Sequence, residues 1–128
     1  MHPTVTAVLA LVLAFQIKHL IADFYLQNAY IIENRRYYGH PAGLLHVGIH
    51  LAGSLIVLLI FATPLWLIGS LLLAEGVFHY HLDWAKDNYG ANRGLTPRDA
   101  GFWHALGLDQ ALHQASYLAM AWAWAVWA

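Results

Sequence analysis

The stretch Ala74–Lys86, AEGVFHYHLDWAK, decides the fold that the chain is expected to adopt. It spaces Glu75, His79 and Asp83 four residues apart, so their side chains share one face of an α-helix. The residues before it, 64–74, are almost wholly apolar, as in a membrane-spanning helix. Two acids and an imidazole on one stripe within lipid are costly, and the stretch therefore predicts partners on other helices.

The composition indicates an integral membrane protein that forms a single domain over residues 1–128. Of the 128 residues, 60% are hydrophobic and 10% are charged, whereas soluble domains carry about 25% charged residues. The mean hydropathy is +0.51. The net charge of −1 gives no electrostatic basis for binding nucleic acid. Cysteine is absent, which excludes disulfides and thiolate chemistry, and the nine histidines stand out against this apolar background.

Four apolar stretches predict four transmembrane helices, over about 4–26, 44–62, 65–84 and 103–128. Connected in order, they predict an all-α, up-down-up-down bundle. The sequence Thr96-Pro97-Arg98-Asp99 is typical of a helix start, so the last helix is expected to begin near Pro97. No basic segment precedes the first apolar stretch, and we therefore expect no cleaved signal peptide.

The basic residues predict the orientation of this bundle. Two polar connections, 28–43 and 86–102, hold five of the six basic residues: Arg35, Arg36, Lys86, Arg93 and Arg98. The sixth, Lys18, lies near the same end of the first span. Cytoplasmic loops are enriched in lysine and arginine, so we expect these connections in the cytoplasm and both termini outside.

Polar side chains within the four spans repeat a spacing of four residues. They are His19 and Asp23; His46 and His50; Glu75, His79 and Asp83; and Asp109 and His113. An antiparallel bundle brings all of them to its cytoplasmic half, because they lie late in one span and early in the next. Imidazole and carboxylate groups are ligands for zinc, iron and manganese. Nine ligands exceed one tetrahedral site, so we predict two or more divalent ions, with Zn²⁺ first and Fe²⁺ or Mn²⁺ as alternatives.

A buried hydrogen-bond network without metal is the main alternative, because His–Asp pairs also join helices. One such pair favours both interpretations equally, whereas four matched pairs at one depth favour a metal centre. Gln27 and Gln110 are predicted to support the ligands. Lys86, Arg93 and Arg98 are predicted to meet a substrate anion, although basic residues here can also serve only to set topology and contact anionic lipid.

Four segments resemble a family of small bacterial membrane proteins of unknown function: KHLIADFYLQ (18–27), HVGIH (46–50), EGVFHYHLDWAK (75–86) and DQALHQ (109–114). This resemblance covers nearly the whole chain and implies a multi-pass protein of the bacterial inner membrane. More loosely, the histidines and acids are similar to the sites of zinc-dependent phospholipase C, P1-type nucleases and predicted inner-membrane metal-dependent hydrolases. That similarity implies a zinc cluster that activates water against a phosphoester. Unlike those soluble enzymes, this chain is expected within the membrane and lacks their N-terminal tryptophan ligand.

The first functional hypothesis is a metal-dependent membrane hydrolase acting on a phospholipid or another lipid-linked phosphoester, with Glu75 as its catalytic acid or base. The second is a di-iron oxidoreductase acting on a lipid-like chain. The third is a metal-binding or transport protein, although transport sites lie near the bilayer midplane with access from both sides. A bis-histidine haem carrier is weaker, because the carboxylates are too numerous. Membrane lipid is the expected partner in the first two.

Overall fold

The computed structural model describes residues 2–128, and the described chain is all-α, as predicted. Its helices are α1 (Val5–Leu20), α2 (Ala29–Asn34), α3 (Pro41–Ile60), α4 (Leu65–Arg93) and α5 (Ala100–Trp127). A π-helical turn, Ile21–Tyr25, continues α1. Wide turns of this kind are frequent at functional sites, and this one carries Asp23.

The four long helices form a ring around a shared interior. Helix α1 packs on α3 and α5, and α4 packs on the same two helices from the other side. The short α2 packs on α3. One half of the interior is apolar and holds buried side chains such as Leu11, Phe15, Leu58 and Leu67. The other half is lined by histidines and acids, so the ring places all polar stripes toward one another.

Three helices are long and apolar enough to cross a membrane: α1 with its π-helical turn, α3 and α4. Their outer surfaces suit lipid, because large apolar side chains such as Val5 and Leu65 are 76% and 79% exposed. Helix α5 has 28 residues, but polar side chains such as Asp109 and His113 lower its hydropathy. The chain therefore has the character of a membrane protein, and the crossing of α5 stays a prediction.

The helices differ from the prediction in several places, and α3 covers Pro41–Ile60 where a span over about 44–62 was predicted. Helix α4 continues to Arg93 and ends at Gly94, whose φ of 61° is a left-handed conformation that glycine adopts readily. The connection 28–43, predicted as a loop, contains α2. Helix α5 begins after Asp99, not near Pro97. The reason is local: the backbone N–H and hydroxyl of Thr96 donate to the Asp99 carboxylate and form a turn there.

Two glycines of α3 form a matched pair that tests how closely α1 and α3 pack. A Cβ at Gly53 would overlap Cγ of Lys18, whereas a Cβ at Gly48 would meet nothing within 4 Å. We expect Gly53→Ala to lower the free energy of unfolding by roughly 1–3 kcal/mol, because the Lys18 stem must move. Gly48→Ala should raise it by up to about 1 kcal/mol, since alanine favours helix. Thermal unfolding in detergent measures both, and equal midpoints would contradict this packing.

Candidate metal centre

The bundle brings six of the nine predicted ligands into two overlapping groups. Asp23, His46, His50 and His79 form one group, and His79, Asp83 and His113 form the other. In each group, one nitrogen or carboxylate oxygen from every residue lies within 4.8 Å of the others. The groups draw on all four long segments: the π-helical turn after α1, and helices α3, α4 and α5. The predicted convergence of separate helices on one cluster is thus observed for these six.

Two carboxylates connect the imidazoles of the cluster. Asp23 Oδ1 lies 2.8 Å from His50 Nε2 and 3.3 Å from His46 Nε2. Asp83 Oδ2 lies 3.2 Å from His46 Nε2 and 3.0 Å from His79 Nε2. Asp83 Oδ1 lies 3.6 Å from His113 Nε2. His46 therefore stands between the two carboxylates and links the two groups.

Several polar atoms of the cluster are buried and make no well-directed hydrogen bond among residues 2–128, even where a polar neighbour is close, as at the 3.0 Å between His79 Nε2 and Asp83 Oδ2. They include His79 Nε2, His113 Nε2 and Asp83 Oδ2. The rings are also crowded, with the centres of His50 and His79 3.9 Å apart and those of His79 and His113 4.1 Å apart. An unsatisfied buried polar atom costs about 1–3 kcal/mol. Nitrogen and carboxylate lone pairs facing one another fit a divalent cation, which accepts from all of them.

The six residues divide into two sets of one carboxylate and two imidazoles. One is Asp23 with His46 and His50, and the other is Asp83 with His79 and His113. This division uses His79 once, as it must, because an imidazole nitrogen binds one ion at a time. Three protein ligands leave positions open for water or substrate, as in catalytic zinc sites. The same ligand set also holds non-haem iron.

Hydrogen bonds place the imidazole protons differently in the two sets, so the sets are not equally ready to bind a metal ion. His113 Nδ1 lies 2.8 Å from the Asp109 carbonyl oxygen, to which it donates, so its Nε2 keeps a free lone pair toward Asp83. Lys18 Nζ lies 3.3 Å from His50 Nδ1, and an ammonium only donates, so the proton of neutral His50 sits on Nε2. That proton points to Asp23 Oδ1 and must leave before His50 binds an ion. The Asp83 set is therefore the better prepared of the two.

The remaining predicted ligands, His19, Asp109 and Glu75, lie outside both groups. His19 Nε2 is 3.1 Å from Asp23 Oδ2 and 2.8 Å from Gln110 Oε1. Gln110 also donates to Asp109 Oδ2 at 3.1 Å, so this amide holds neighbours of the cluster together, consistent with its predicted supporting position. His19, Asp109 and Glu75 surround the two sets, and their direct ligation stays a prediction.

Lys18 has a role that the sequence analysis missed, because it was interpreted only as a topology signal. Its buried Nζ lies 2.6 Å from Glu75 Oε1 and 3.0 Å from Tyr117 Oη. Glu75, the predicted catalytic acid or base, is thus held in an ion pair, while its Oε2 has no partner within residues 2–128. The catalytic assignment of Glu75 stays a prediction. The signal that was available is the presence of a lysine inside a predicted span, which requires a buried partner.

Arg35 also has a role that the sequence analysis missed, because this residue was interpreted only as a determinant of membrane topology. Its guanidinium donates to Asp87 and Gln27, and its Nη1 lies 3.4 Å from His46 Nε2 and 3.9 Å from Asp83 Oδ2. Burial lowers the pKa of Arg35, but the carboxylates of Asp83 and Asp87 outweigh burial and raise it, so the side chain stays cationic. Gln27 therefore supports Arg35, which in turn contacts the cluster.

The three residues predicted to meet a substrate anion have different surroundings. Lys86 Nζ pairs with Asp87 Oδ1 at 3.1 Å, and Asp87 also binds Arg35. The Arg93 guanidinium stacks 4.0 Å from the ring centre of Tyr89. Arg98 is exposed in the connection before α5. Only Lys86 is thus joined to the cluster by a chain of contacts in the part of the protein that the structure describes.

The sum of the charges in and around the cluster also favours a bound cation. The carboxylates of Asp23, Glu75, Asp83 and Asp109 carry four negative charges, and Lys18 and Arg35 carry two positive charges; all of these side chains are buried except that of Asp23, which is 10% exposed. Four minus two leaves two negative charges when the histidines are neutral. One divalent ion balances that excess, and two protonated imidazoles would balance it without metal.

Fold and site together define an all-α protein with membrane-type helices and a His/Asp cluster that could hold a metal ion. The chain belongs to the family DUF3307, described as a protein of unknown function, whose model matches residues 10–128. No curated protein and no solved structure matches the chain. The predicted membership in a family of unknown function is confirmed. The similarity to phospholipase C, P1-type nucleases and inner-membrane hydrolases has no support from these comparisons.

The Lys18–Glu75 pair gives a direct test of how the cluster is stabilised. Lys18→Met leaves the Glu75 carboxylate buried without its counter-charge, and we expect a loss of about 3–5 kcal/mol in the free energy of unfolding. Adding Glu75→Met removes the second charge and should restore a large part of that loss. Lys86→Met is the control, because Asp87 keeps Arg35 as its partner. A double variant as unstable as Lys18→Met alone in thermal unfolding would disprove the role of the pair.

Proposed function

We propose that this protein is a membrane-embedded, metal-dependent hydrolase that acts on a phospholipid or another lipid-linked phosphoester. The observation that carries the proposal is the pair of Asp-His-His sets, built from all four long segments and buried within the bundle. Zn²⁺ is the preferred ion, with two ions at full occupancy. Open coordination positions distinguish these sets from a closed structural site and favour catalysis.

The proposal includes a four-span bundle in the bacterial inner membrane, with α5 as the fourth span. The polar residues of α5 that argue against crossing, Asp109 and His113, are only 3% and 1% exposed and so face the other helices. Its outer surface presents apolar side chains such as Leu108, Leu118 and Trp122. The basic residues lie at the cluster end, so the positive-inside rule puts that end in the cytoplasm and both termini outside.

A divalent cation in these sets would supply an activated water as nucleophile and a Lewis acid for the oxygen that becomes negative. The chain supplies the surroundings. Asp109 holds His113 in the tautomer that faces Asp83, and Gln110 holds His19 beside Asp23. His19 is placed to accept or return a proton at the edge of the cluster, and Glu75 is available for the same task when its contact with Lys18 opens.

Charge also supports a phosphoester as substrate. One divalent ion neutralises the two excess negative charges of the cluster, and a second ion makes it positive by two. A phosphoester group carries negative charge, which is opposite to the positive charge of the two-ion cluster. The second ion and the substrate therefore stabilise each other. An uncharged ester would leave that positive charge buried and unbalanced.

The metal site is tested by two histidine variants of α4. His79→Ala removes the residue shared by both ligand groups and should abolish most metal binding. His81→Ala is the matched control, because His81 is exposed and contacts Tyr38 and the carbonyl of Val77 instead. Elemental analysis of protein purified without chelators should find metal in the native protein and in His81→Ala only.

The same proteins test hydrolysis with lipid phosphoesters in liposomes. Product should form with the native protein and with His81→Ala, and chelation or His79→Ala should stop it. Absence of metal from all three proteins, with unchanged unfolding, would support a buried hydrogen-bond network and end the proposal. Metal without any phosphoester hydrolysis would retain the site and reject the reaction.

A di-iron oxidoreductase acting on a lipid-like chain is the second candidate. The observation that favours it is the set of two histidines and one carboxylate, which is also the ligand set of oxygen-activating iron. Iron in the purified protein, together with visible absorption that reducing agents bleach, would replace the hydrolase. Metal transport is the third candidate, and metal flux into liposomes would establish it.

The crossing of α5 is tested with a C-terminal reporter that is active only outside the cytoplasm. If α5 spans the membrane, a fusion after Ala128 should be active, and the same reporter inserted after Gly94, where α4 ends, should be inactive. Opposite activities at the two positions require a crossing between them. Equal activities would show that α5 lies on one side and would reduce the bundle to three spans.

A further inference from the structure

A cavity of about 310 Å³ lies beside the metal cluster, between α2, the C-terminal part of α4 and the start of α5. Arg35, Arg36 and Lys86 line one wall, around the single carboxylate of Asp87. The rest of the lining is apolar and includes Ile32, Leu95, Phe102 and Leu106. The cavity thus combines a cationic wall with a hydrocarbon wall, and none of the six cluster ligands lines it.

The cationic wall carries more positive charge than its own acid neutralises. Asp87 pairs with both Arg35 and Lys86. Arg36 donates to the hydroxyl of Tyr37 and has no carboxylate partner within residues 2–128. Because the charge of Arg35 is already counted against the acids of the cluster, Arg36 and Lys86 with the carboxylate of Asp87 leave one positive charge. Guanidinium groups match the geometry of phosphate oxygens. The ligand that complements this wall is an anionic phosphate group.

Arg35 connects this cavity to the metal cluster. It lines the cavity, and the same guanidinium lies 3.4 Å from His46 Nε2 and 3.9 Å from Asp83 Oδ2. A phosphate group held by Arg35 is therefore one side chain away from the metal ligands. Free phosphate would leave the apolar wall without a partner, whereas the glycerol and acyl portions of a lipid would cover it.

We propose that this cavity binds the phosphate headgroup of an anionic lipid, with Arg36 and Lys86 as binding cations and Arg35 as the link to the metal ligands. The proposal rests on the proposed function, because it names the part of the substrate that the chain recognises. It differs from the sequence-based prediction of anion-binding residues: it keeps Lys86 and uses Arg35 and Arg36 in place of Arg93 and Arg98, because Arg93 and Arg98 do not line the cavity.

The test compares two double variants that remove the same charge from the same end of the bundle. Arg36→Gln/Lys86→Gln changes the cavity, and Arg93→Gln/Arg98→Gln changes basic residues outside it. Native mass spectrometry in detergent would measure bound phosphatidic acid, with phosphatidylcholine and inorganic phosphate as the comparison probes. We expect the cavity variant to bind phosphatidic acid about tenfold more weakly and the control to bind it as the native protein does.

The other outcomes overturn the proposal. Equal losses in both double variants would indicate general attraction of basic residues to anionic lipid. Binding of phosphatidylcholine as tight as that of phosphatidic acid would show that headgroup charge is not recognised. Displacement of the lipid by an equal concentration of inorganic phosphate would assign the cavity to free phosphate.

Metal content, measured on the same samples, separates this proposal from the hydrolase. Arg36→Gln/Lys86→Gln should keep its metal, because neither side chain is a ligand. Native protein without metal that still binds phosphatidic acid at this cavity would reject the hydrolase and retain the lipid site. If the cavity variant keeps its metal and binds the lipid as the native protein does, the lipid site is rejected and the hydrolase proposal is retained.

Discussion

Acids buried within an apolar bundle require partners, and much of this structure follows from that requirement. A charged residue at the centre of a span costs roughly 2.5–3.5 kcal/mol, more than several leucines return. Three of the four acids are met from a different helix: Asp23 by His50 of α3, Glu75 by Lys18 of α1, and Asp83 by His46 of α3. These pairs cross the interior, so they fix the rotation of each helix about its own axis. They also fix which helices lie next to one another.

The interior has two halves with different tasks. Apolar side chains such as Leu11 and Phe15 fill one half, and the cluster fills the other. Tyr117 lies at the boundary: its ring stacks on Phe15 with centres 5.5 Å apart, and its hydroxyl contacts Lys18 and His19. The apolar half thus supports the cluster rigidly from one side. Within the proposed function, ions and substrate approach from the other side, where Arg35 lies.

Two cationic side chains lie at different edges of the cluster and have different roles. Lys18 sits beside Glu75 and sets the tautomer of His50, while Arg35 lies between the cluster and the neighbouring cavity. Neither contact removes the excess negative charge of the four acids. That remaining charge is the physical reason to consider a divalent ion before a purely hydrogen-bonded network, because a network requires two imidazoles to be protonated in an apolar interior.

The sequence by itself determined the helix content, the membrane character and the four polar stripes, because these depend on composition and on residues four apart along one helix. Tertiary structure alone decided which residues meet. Lys18 and Glu75 are 57 residues apart, and Arg35 and Asp87 are 52 apart, so no local pattern predicts either pair. It also left His19, Glu75 and Asp109 outside the two ligand groups. The reason is that spacing defines the face of a helix, whereas helix rotation and packing determine which atoms come within ligating distance.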